Sequence, residues 1–225
     1  AEFGLGRVGE PGGLRIDRIF RAEADHVDLR QPLRLPGVDA REGDVITRVD
    51  GRPVASLADL RMALASKAGQ QVRLDLTRDG SAISAIVTPM NGRGRAMAAY
   101  YDFTEGRKAA ADELSGGQIG YLKLRAMGGG DIASFARDYF NLLDKDGIVI
   151  DVRNNSGGNI DSILISQLLR RPWAFWSSPD GVGSKTTNMQ NAYRGHIAVL
   201  IDERTYSDGE TFAGGVKSLG IAPLV

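Results

Sequence analysis

The second half of the chain alternates continuous apolar runs with segments of helical spacing, and this order constrains the fold more than any other feature. Residues 148–152 and 196–201 are almost entirely apolar, which is typical of strands buried on both faces of a sheet. Helical spacing covers residues 131–143, with Asp131 as the predicted N-cap, and then 160–169 and 208–219. Since parallel strands are joined through crossover helices, the order predicts an α/β fold with a mainly parallel sheet.

Residues 1–90 follow a different pattern and are predicted to form a separate β-rich domain. The predicted elements, in chain order, are a strand (14–20), a strand (45–49), a turn (Asp50-Gly51), a helix (Ser56 to Lys67), a strand (72–78), a turn (Asp79-Gly80) and a strand (83–87). Strict alternation of polarity in the strands indicates a sheet with one buried face. The pattern therefore predicts a small sheet with one helix.

Residues 91–117 are predicted to join this domain to the α/β core, which covers residues 118–225. The Pro-, Asn- and Gly-containing stretch 89–97 has the composition of a linker, and residues 105–114 favour a helix. Residues 221–225 form an apolar run like a strand that leads onward. We therefore expect the sequence to be a fragment, truncated at both ends.

The composition excludes several kinds of function. Basic and acidic side chains balance at 28 each, which argues against a nucleic-acid-binding polycation. With no cysteine and two histidines, a thiol nucleophile, a disulfide or a thiolate zinc site is excluded, and we expect no metal and no cofactor. No apolar run approaches the ~18 residues of a membrane span. The compartment stays open, with the periplasm or cell envelope favoured slightly over the cytoplasm.

A glycine motif near the start of the chain has two interpretations. Gly4-Leu5-Gly6-Arg7-Val8-Gly9 matches G-x-G-x-x-G, but a dinucleotide site needs a strand before the motif and a helix after it. Only three residues precede it, and residues 10–13 contain Pro and Gly, which do not open a helix. The remaining interpretations are a plain turn and a nest of backbone amides that binds a carboxylate.

Two polar loops follow the buried strands and are predicted to meet at the carboxyl edge of the sheet, where ligands of open α/β folds bind. The loop after residue 151 contains Gly157 and Gly158, which can turn backbone N–H groups outward toward a developing negative charge. The loop after residue 201 places Ser207 at the start of a helix, with the N–H of Asp208 beside it. From these residues alone, Ser207 is either a helix cap or a nucleophile.

No general base for Ser207 is evident in the chain. His196 begins the strand whose far end leads to Ser207, so about six residues at ~3.3 Å each separate them by ~20 Å. Lys217 lies ten positions along the helix, ~15 Å by helical rise. His26 belongs to the first domain, and its approach to Ser207 is not expected. Either Ser207 is a cap, or its base lies outside the fragment.

The two loops resemble those of one peptidase family. Residues 151–158, Asp-Val-Arg-Asn-Asn-Ser-Gly-Gly, resemble the D-[LV]-R-x-N-x-G-G segment of the carboxyl-terminal-processing and tricorn-type serine peptidases, family S41. Residues 206–210, Tyr-Ser-Asp-Gly-Glu, resemble the nucleophile loop of the tricorn type. Residues 36–51, with Pro-Gly-Val, Glu-Gly-Asp-Val-Ile and Val-Asp-Gly, are similar to a PDZ domain, which in this family precedes the catalytic core.

This resemblance implies both a fold and a set of roles. The core would be crotonase/ClpP-like, Ser207 would be the acylated nucleophile, and the amides of Asp208 and of Gly157 or Gly158 would form the oxyanion hole. The base would be a Lys downstream of the serine or a His upstream of the PDZ domain. Tricorn-type proteins commonly form oligomers, so a homo-oligomer is implied.

The resemblance also implies a serine peptidase that acts on peptides or unfolded proteins. Residues Gly4, Leu5 and Gly6 would bind the peptide carboxylate, and residues 14–20 would pair with the peptide as an added strand. Two alternatives stay open. One is a peptide-binding scaffold without catalytic activity, and the other is a crotonase-type enzyme acting on acyl thioesters.

Overall fold

A computed structural model describes residues 9–10, 12–21, 31–181 and 186–225, and these residues fall into two compact units that divide between Glu105 and Gly106. The elements of the first unit are β1 (Gly9–Glu10), β2 (Gly13–Arg15), a 3₁₀ turn (Pro32–Arg34), β3 (Val45–Val49), β4 (Arg52–Pro53), α1 (Leu57–Ala63), β5 (Val72–Arg78), β6 (Ser81–Val87) and the start of α2 (Gly92–Ser115). His26 and the Gly4-Leu5-Gly6 loop lie outside the described residues.

The first unit is an antiparallel sheet in the order β1-β2-β3-β5-β6, with β4 paired to β3. The predicted turns at Asp50-Gly51 and Asp79-Gly80 are confirmed, and all four residues have positive φ, as tight hairpin turns require. Apolar side chains from one face of the sheet and from α1 form its core, including Ile46, Leu74 and Leu76.

The strand predicted over residues 14–20 is shorter in the structure, where β2 ends at Arg15. Beyond Arg15 the Ile16 N–H still donates to the Asp44 carbonyl (2.8 Å), and further along the Ile19 N–H donates to the Glu42 carboxylate (2.8 Å). Leu14 pairs with β1 on one side and with β3 on the other. Leu14 therefore has no free edge for a peptide strand, whereas over residues 16–20 the hypothesis that this segment receives a peptide strand stays a prediction.

Two helix boundaries also differ from the prediction. Helix α1 is capped by Ser56 as predicted but ends at Ala63 rather than Lys67, since Ser66 adopts a positive φ of 58° that a helix cannot accommodate. The linker predicted over residues 89–97 is wrong from Gly92 onward, where α2 begins. The side chain of Asn91 accepts the Gly94 N–H (2.8 Å) and caps this helix despite its glycines.

The second unit contains the remaining part of α2, and the predicted alternation of strands and helices is confirmed there. Its elements are β7 (Ile119–Lys123), α3 (Gly129–Phe140), β8 (Gly147–Asp151), α4 (Asp161–Leu168), β9 (Phe175–Trp176), β10 (Thr186–Thr187), β11 (His196–Leu200) and α5 (Asp208–Ser218). Gly128, not Asp131, is the N-cap of α3. Asp131 sits one turn inside, where its carboxylate accepts the Gly128 N–H (3.0 Å).

The three strands β7, β8 and β11 form a parallel sheet in the order β11-β8-β7. Their carboxyl ends are level, because Asp151 pairs with Lys123 on one side and with Leu200 on the other. Residues 223–225 run parallel to β11 and exchange backbone hydrogen bonds with Val199 and Ile201, as expected for a further strand. The loops after β8 and β11 thus start from one edge of the sheet.

Helices α4 and α5 follow those two loops and pack closely against each other. Gly215 of α5 lies against the Ile165 side chain of α4 so closely that a Cβ at Gly215 would overlap it. The amino ends of both helices are therefore held near the same sheet edge. In the part of the chain that the structure describes, no helix is both long and apolar enough to cross a membrane.

Candidate active site

The glycine loop after β8 and the serine loop after β11 touch each other. A Cβ built on Gly157 would lie 2.6 Å from the Cβ of Ser207 and 3.1 Å from its Oγ. Gly157 has φ +80°, a conformation that side chains rarely adopt. Close approach and backbone conformation both require glycine at this position, and Ser207 Oγ consequently faces backbone rather than a side chain.

Ser207 occupies a strained turn and its hydroxyl is unencumbered. Its φ of 55° and ψ of −119° fall outside the usual regions for a residue with a side chain. Ser207 is the N-cap of a capping box with Glu210, but the Glu210 N–H donates to the Ser207 carbonyl (2.8 Å), and the Ser207 hydroxyl makes no capping hydrogen bond. The Glu210 carboxylate instead accepts the Ser207 N–H (2.7 Å), and Ser207 is exposed. A simple cap would tie the hydroxyl to the helix, so this geometry argues against that interpretation.

Two backbone amides beside Ser207 have no acceptor among the described residues: those of Gly158 and Asp208. Gly157 differs from them, because its N–H donates to the Asn155 side-chain oxygen (2.8 Å) and the residue is buried, whereas Gly158 is exposed. The Asp208 amide is free because the first N–H groups of a helix have no partner within it. The site therefore presents two unused donors next to a free hydroxyl.

Asn155 connects the parts of the site from beneath. The residue is fully buried, and its side-chain amide donates to the Leu124 carbonyl (2.8 Å) while its oxygen accepts from Gly157. Its backbone carbonyl accepts the Tyr206 N–H (3.0 Å), immediately before Ser207. One residue thus links the end of β7, the glycine loop and the serine loop, with both of its side-chain atoms satisfied.

At the end of β8, the Asp151 carboxylate is fully buried in a ring of donors. It accepts from the Tyr121 hydroxyl (2.6 Å) and from the Arg153 guanidinium (2.7 and 3.1 Å), and Lys123 lies 3.4 Å away. Burial would raise the pKa of Asp151, but the hydrogen bonds from Arg153 and Tyr121 outweigh burial and hold that pKa below its usual range. The carboxylate therefore stays ionised and anchors the strand end from which the glycine loop departs.

Replacing Asp151 by Asn is expected to lower the free energy of unfolding by about 2–4 kcal/mol at pH 7, because it leaves buried donors and cations without their counter-charge. The folded-state pKa is the lower one, so the carboxylate's contribution is present above the unfolded-state pKa, near 4. It disappears as the pH falls through the folded-state pKa. Denaturant unfolding at pH 7 and pH 3 measures both effects.

The matched control for this prediction is Asp144→Asn, at an exposed position of the same unit. It is expected to change unfolding by less than about 0.5 kcal/mol at either pH. A difference between wild type and Asp151→Asn that persists undiminished at pH 3 would contradict the role assigned to the ionised carboxylate.

The candidate bases do not join this site. His196 pairs with Gly147 at the amino end of the sheet, the opposite edge from the one that leads to Ser207, as predicted. Lys217 lies in the last turn of α5 and is exposed. Among the described residues, Ser207 Oγ has no hydrogen-bond partner, and no group of acidic or histidine side chains is arranged to hold a metal ion.

Two contributors were not identified from the sequence. Asn155 lies inside the motif 151–158, where a buried amide between a strand and a glycine pair could have been suspected from its position alone. The second is the Asp208 carboxylate, which leaves its own helix and accepts from the Ile160 and Asp161 N–H groups at the start of α4 (2.7 and 3.1 Å). No local pattern reveals that contact, since it joins residues 47 and 48 positions apart.

Comparison with known families agrees with this arrangement. Residues 118–225 match the sequence model of peptidase family S41, and residues 7–92 match that of the tricorn protease PDZ domain. The parallel-sheet unit with its serine and glycine loops is thus the S41 core, and the antiparallel unit is the PDZ domain. Residues 118–225 are therefore a family S41 domain and residues 7–92 a tricorn-type PDZ domain, which confirms the resemblance found in the sequence.

Individual relatives extend over nearly the whole chain. It is 34% identical to tricorn protease homolog 1 of Streptomyces coelicolor over 218 residues, 96% of this chain and 20% of that protein. It is 27% identical to the tricorn protease of Thermoplasma acidophilum, over 93% of this chain and 19% of that protein. A crystal structure of the tricorn protease superposes with a TM-score of 0.87 at 23% identity, covering 99% of this chain and 21% of that one, which establishes the shared fold. The chain spans about a fifth of each.

Proposed function

We propose that the protein is a serine peptidase that hydrolyses peptide bonds through an acyl-enzyme on Ser207. The observation that carries the proposal is the strained, exposed Ser207, whose hydroxyl has no partner among the described residues and faces a glycine loop. A strained turn between strand and helix is the usual setting of a hydrolase serine. We assign the α/β unit to the crotonase/ClpP-like class, supported by the parallel order β11-β8-β7.

In the proposed reaction, Ser207 Oγ attacks the carbonyl carbon of the scissile peptide bond and transfers its proton to a general base. The carbonyl oxygen becomes an oxyanion, and we assign its stabilisation to the N–H groups of Gly158 and Asp208. The C–N bond then breaks, the proton goes to the leaving amine, and water hydrolyses the acyl-enzyme. Each preorganised donor contributes about 3–4 kcal/mol to transition-state stabilisation in comparable sites. We assign no base within the described residues.

We assign the oxyanion donor to Gly158 rather than Gly157 because of the hydrogen bonds that their backbone N–H groups make. The Gly157 N–H already serves Asn155, and replacing that acceptor by an oxyanion would leave the buried Asn155 oxygen unsatisfied. Gly158 is exposed and its N–H is unused. The positive end of α5 adds to the same field, because Asp208 is the first residue of that helix.

The PDZ domain is proposed to capture an extended peptide or an unfolded segment of a protein, which suits a peptidase that must hold a flexible substrate. The loop Gly4-Leu5-Gly6 stays a prediction for the carboxylate-binding part of that domain. We further propose that the protein works as a homo-oligomer, as the resemblance implies.

A fluorophosphonate probe tests the proposal directly, because it forms a stable covalent bond with an activated hydroxyl nucleophile. After labelling of the full-length protein, trypsin cleavage behind Arg204 and Lys217 releases the peptide 205–217, which contains Ser207 as its single serine. We expect the adduct in that peptide, together with hydrolysis of a denatured protein substrate. A protein that binds peptides but takes up no probe would instead be a scaffold, and turnover of acyl thioesters without peptide hydrolysis would indicate a crotonase-type enzyme.

A further inference from the structure

Asp208 contacts both halves of the candidate site through different atoms. Its backbone N–H points from the start of α5 and has no acceptor among the described residues. Its carboxylate oxygen Oδ2 accepts from Ile160 N–H at 2.7 Å and from Asp161 N–H at 3.1 Å. These two amides lie at the start of α4, directly after the glycine loop. The Asp208 side chain therefore connects the residue that carries one free amide, Asp208, to the segment that carries the other, Gly158.

We propose that the Asp208 carboxylate is a positioning residue that sets the spacing between the two oxyanion-hole amides, those of Asp208 and Gly158. Gly158 is two residues before Ile160 and therefore lies next to the segment that the Asp208 carboxylate holds. The inference rests on the proposed peptidase function but assigns to Asp208 a second role, separate from its backbone donor.

The chemistry of the contact suits a fixed spacer. Both acceptor bonds are charge-assisted and are made to the amino end of a helix, where a carboxylate is favoured by the helix dipole and by unsatisfied N–H groups. The other carboxylate oxygen lies 3.3 Å from the Thr211 hydroxyl, which also donates to the Asp208 carbonyl. Because Oδ2 accepts two N–H groups at the start of α4, the Asp208 side chain limits how far the two loops can move apart.

The opposite side of the glycine loop is fixed independently. Gly157 O accepts the Met127 N–H (2.8 Å), and the Asn159 N–H donates to Met127 O (2.8 Å), which ties the loop to the segment after β7. These bonds hold the loop to the sheet but do not connect it to the serine loop. The Asp208 carboxylate supplies that connection on the α4 side, as Asn155 does on the strand side.

Two substitutions in the full-length protein separate the side chain from the backbone donor, since both keep the residue-208 N–H. Asp208→Ala removes the spacer, and kcat is expected to fall about 100-fold, the effect of a misplacement near 1 Å, with KM changed less than about threefold. Asp208→Asn keeps one oxygen that can accept both amides and is expected to recover at least a tenth of the wild-type kcat. The matched control Asp144→Ala makes the same substitution at an exposed aspartate of the same unit, and its kcat is expected to stay within about twofold of the wild-type value.

Hydrogen exchange measured by mass spectrometry gives a readout that does not depend on turnover. In Asp208→Ala, the amides of Ile160 and Asp161, which lose their acceptor, are expected to exchange at least about tenfold faster than in wild type and in Asp144→Ala. Equal kcat losses in the Ala and Asn variants, or unchanged exchange at residues 160 and 161, would overturn the spacer role. If the wild type takes up no probe at Ser207, the proposed function fails, while the exchange result still decides whether Asp208 fixes the loop.

Discussion

Replacing Ser207 by Ala is expected to abolish fluorophosphonate labelling of peptide 205–217 and to lower kcat by about 10⁶-fold, the loss seen when a serine nucleophile is removed. The hydroxyl is the atom that becomes acylated, and no other side chain can take its place in the strained turn. KM is expected to change little, because a free hydroxyl contributes little to ground-state binding. Labelling intensity and steady-state hydrolysis of a peptide substrate provide the measurements.

Ser218→Ala is the matched control, since it makes the same substitution in the same helix, at its exposed far end. Helical rise separates positions 207 and 218 by ~16 Å, so wild-type activity and labelling are expected. Retention of labelling at position 205–217 in the Ser207→Ala protein would assign the reactive group to Thr205 or Thr211 instead. Unchanged hydrolysis would refute the proposed acyl-enzyme.

Replacing Gly158 by Ala is the second change with a large expected effect. The added Cβ would overlap the backbone carbonyl of Met127, which cannot turn away because it accepts the Asn159 N–H. The loop must therefore shift, and its free amide moves off the oxyanion position. We expect kcat to fall by about 10²–10³-fold, the usual cost of losing one oxyanion donor, together with a destabilisation of about 1–3 kcal/mol.

Gly214→Ala is the control for this prediction, because Gly214 lies in α5 with open space around it. Alanine is the better helix former, so the free energy of unfolding is expected to rise by about 0.5–1 kcal/mol with kcat unchanged. Full kcat in a folded Gly158→Ala protein would show that Gly158 is not a donor. Unfolding curves recorded in parallel identify any loss that arises from unfolding rather than from the site.

Local patterns sufficed for most of the second unit. The apolar runs before Asp151 and before the serine loop predicted two buried strands, and β8 and β11 follow them within one residue. The N-cap at Ser56 and the turn at Asp50-Gly51 were predicted correctly for the same reason, because capping and turn residues act over only a few positions of the chain. Predictions of length were less accurate. The strand predicted over residues 14–20 ends at Arg15, and further along the Ile19 N–H donates to the distant Glu42 carboxylate.

The family resemblance and the positions of the two loops could be predicted from the sequence, but the hydrogen bonding within the candidate site could not. Sequence reasoning named Gly157 and Gly158 together and could not separate them. The difference arises from the buried side chain of Asn155, which occupies the Gly157 N–H and leaves that of Gly158 unused. Similarly, the sequence left two roles open for Ser207, a helix cap or a nucleophile. The structure distinguishes them, because the Ser207 backbone has a φ of 55° and its hydroxyl makes no capping hydrogen bond.

The amino-acid sequence by itself determined the elements, their order and the residue types at the two strand ends, because periodicity, turns and caps are local properties of the chain. Only the tertiary structure decided which backbone amides stay free and which carboxylate joins α4 to α5. Those outcomes depend on hydrogen bonds between residues almost fifty positions apart, such as Asp208 with Ile160. A bond of that kind is fixed by the packing of whole helices on the sheet, and no local segment contains the information.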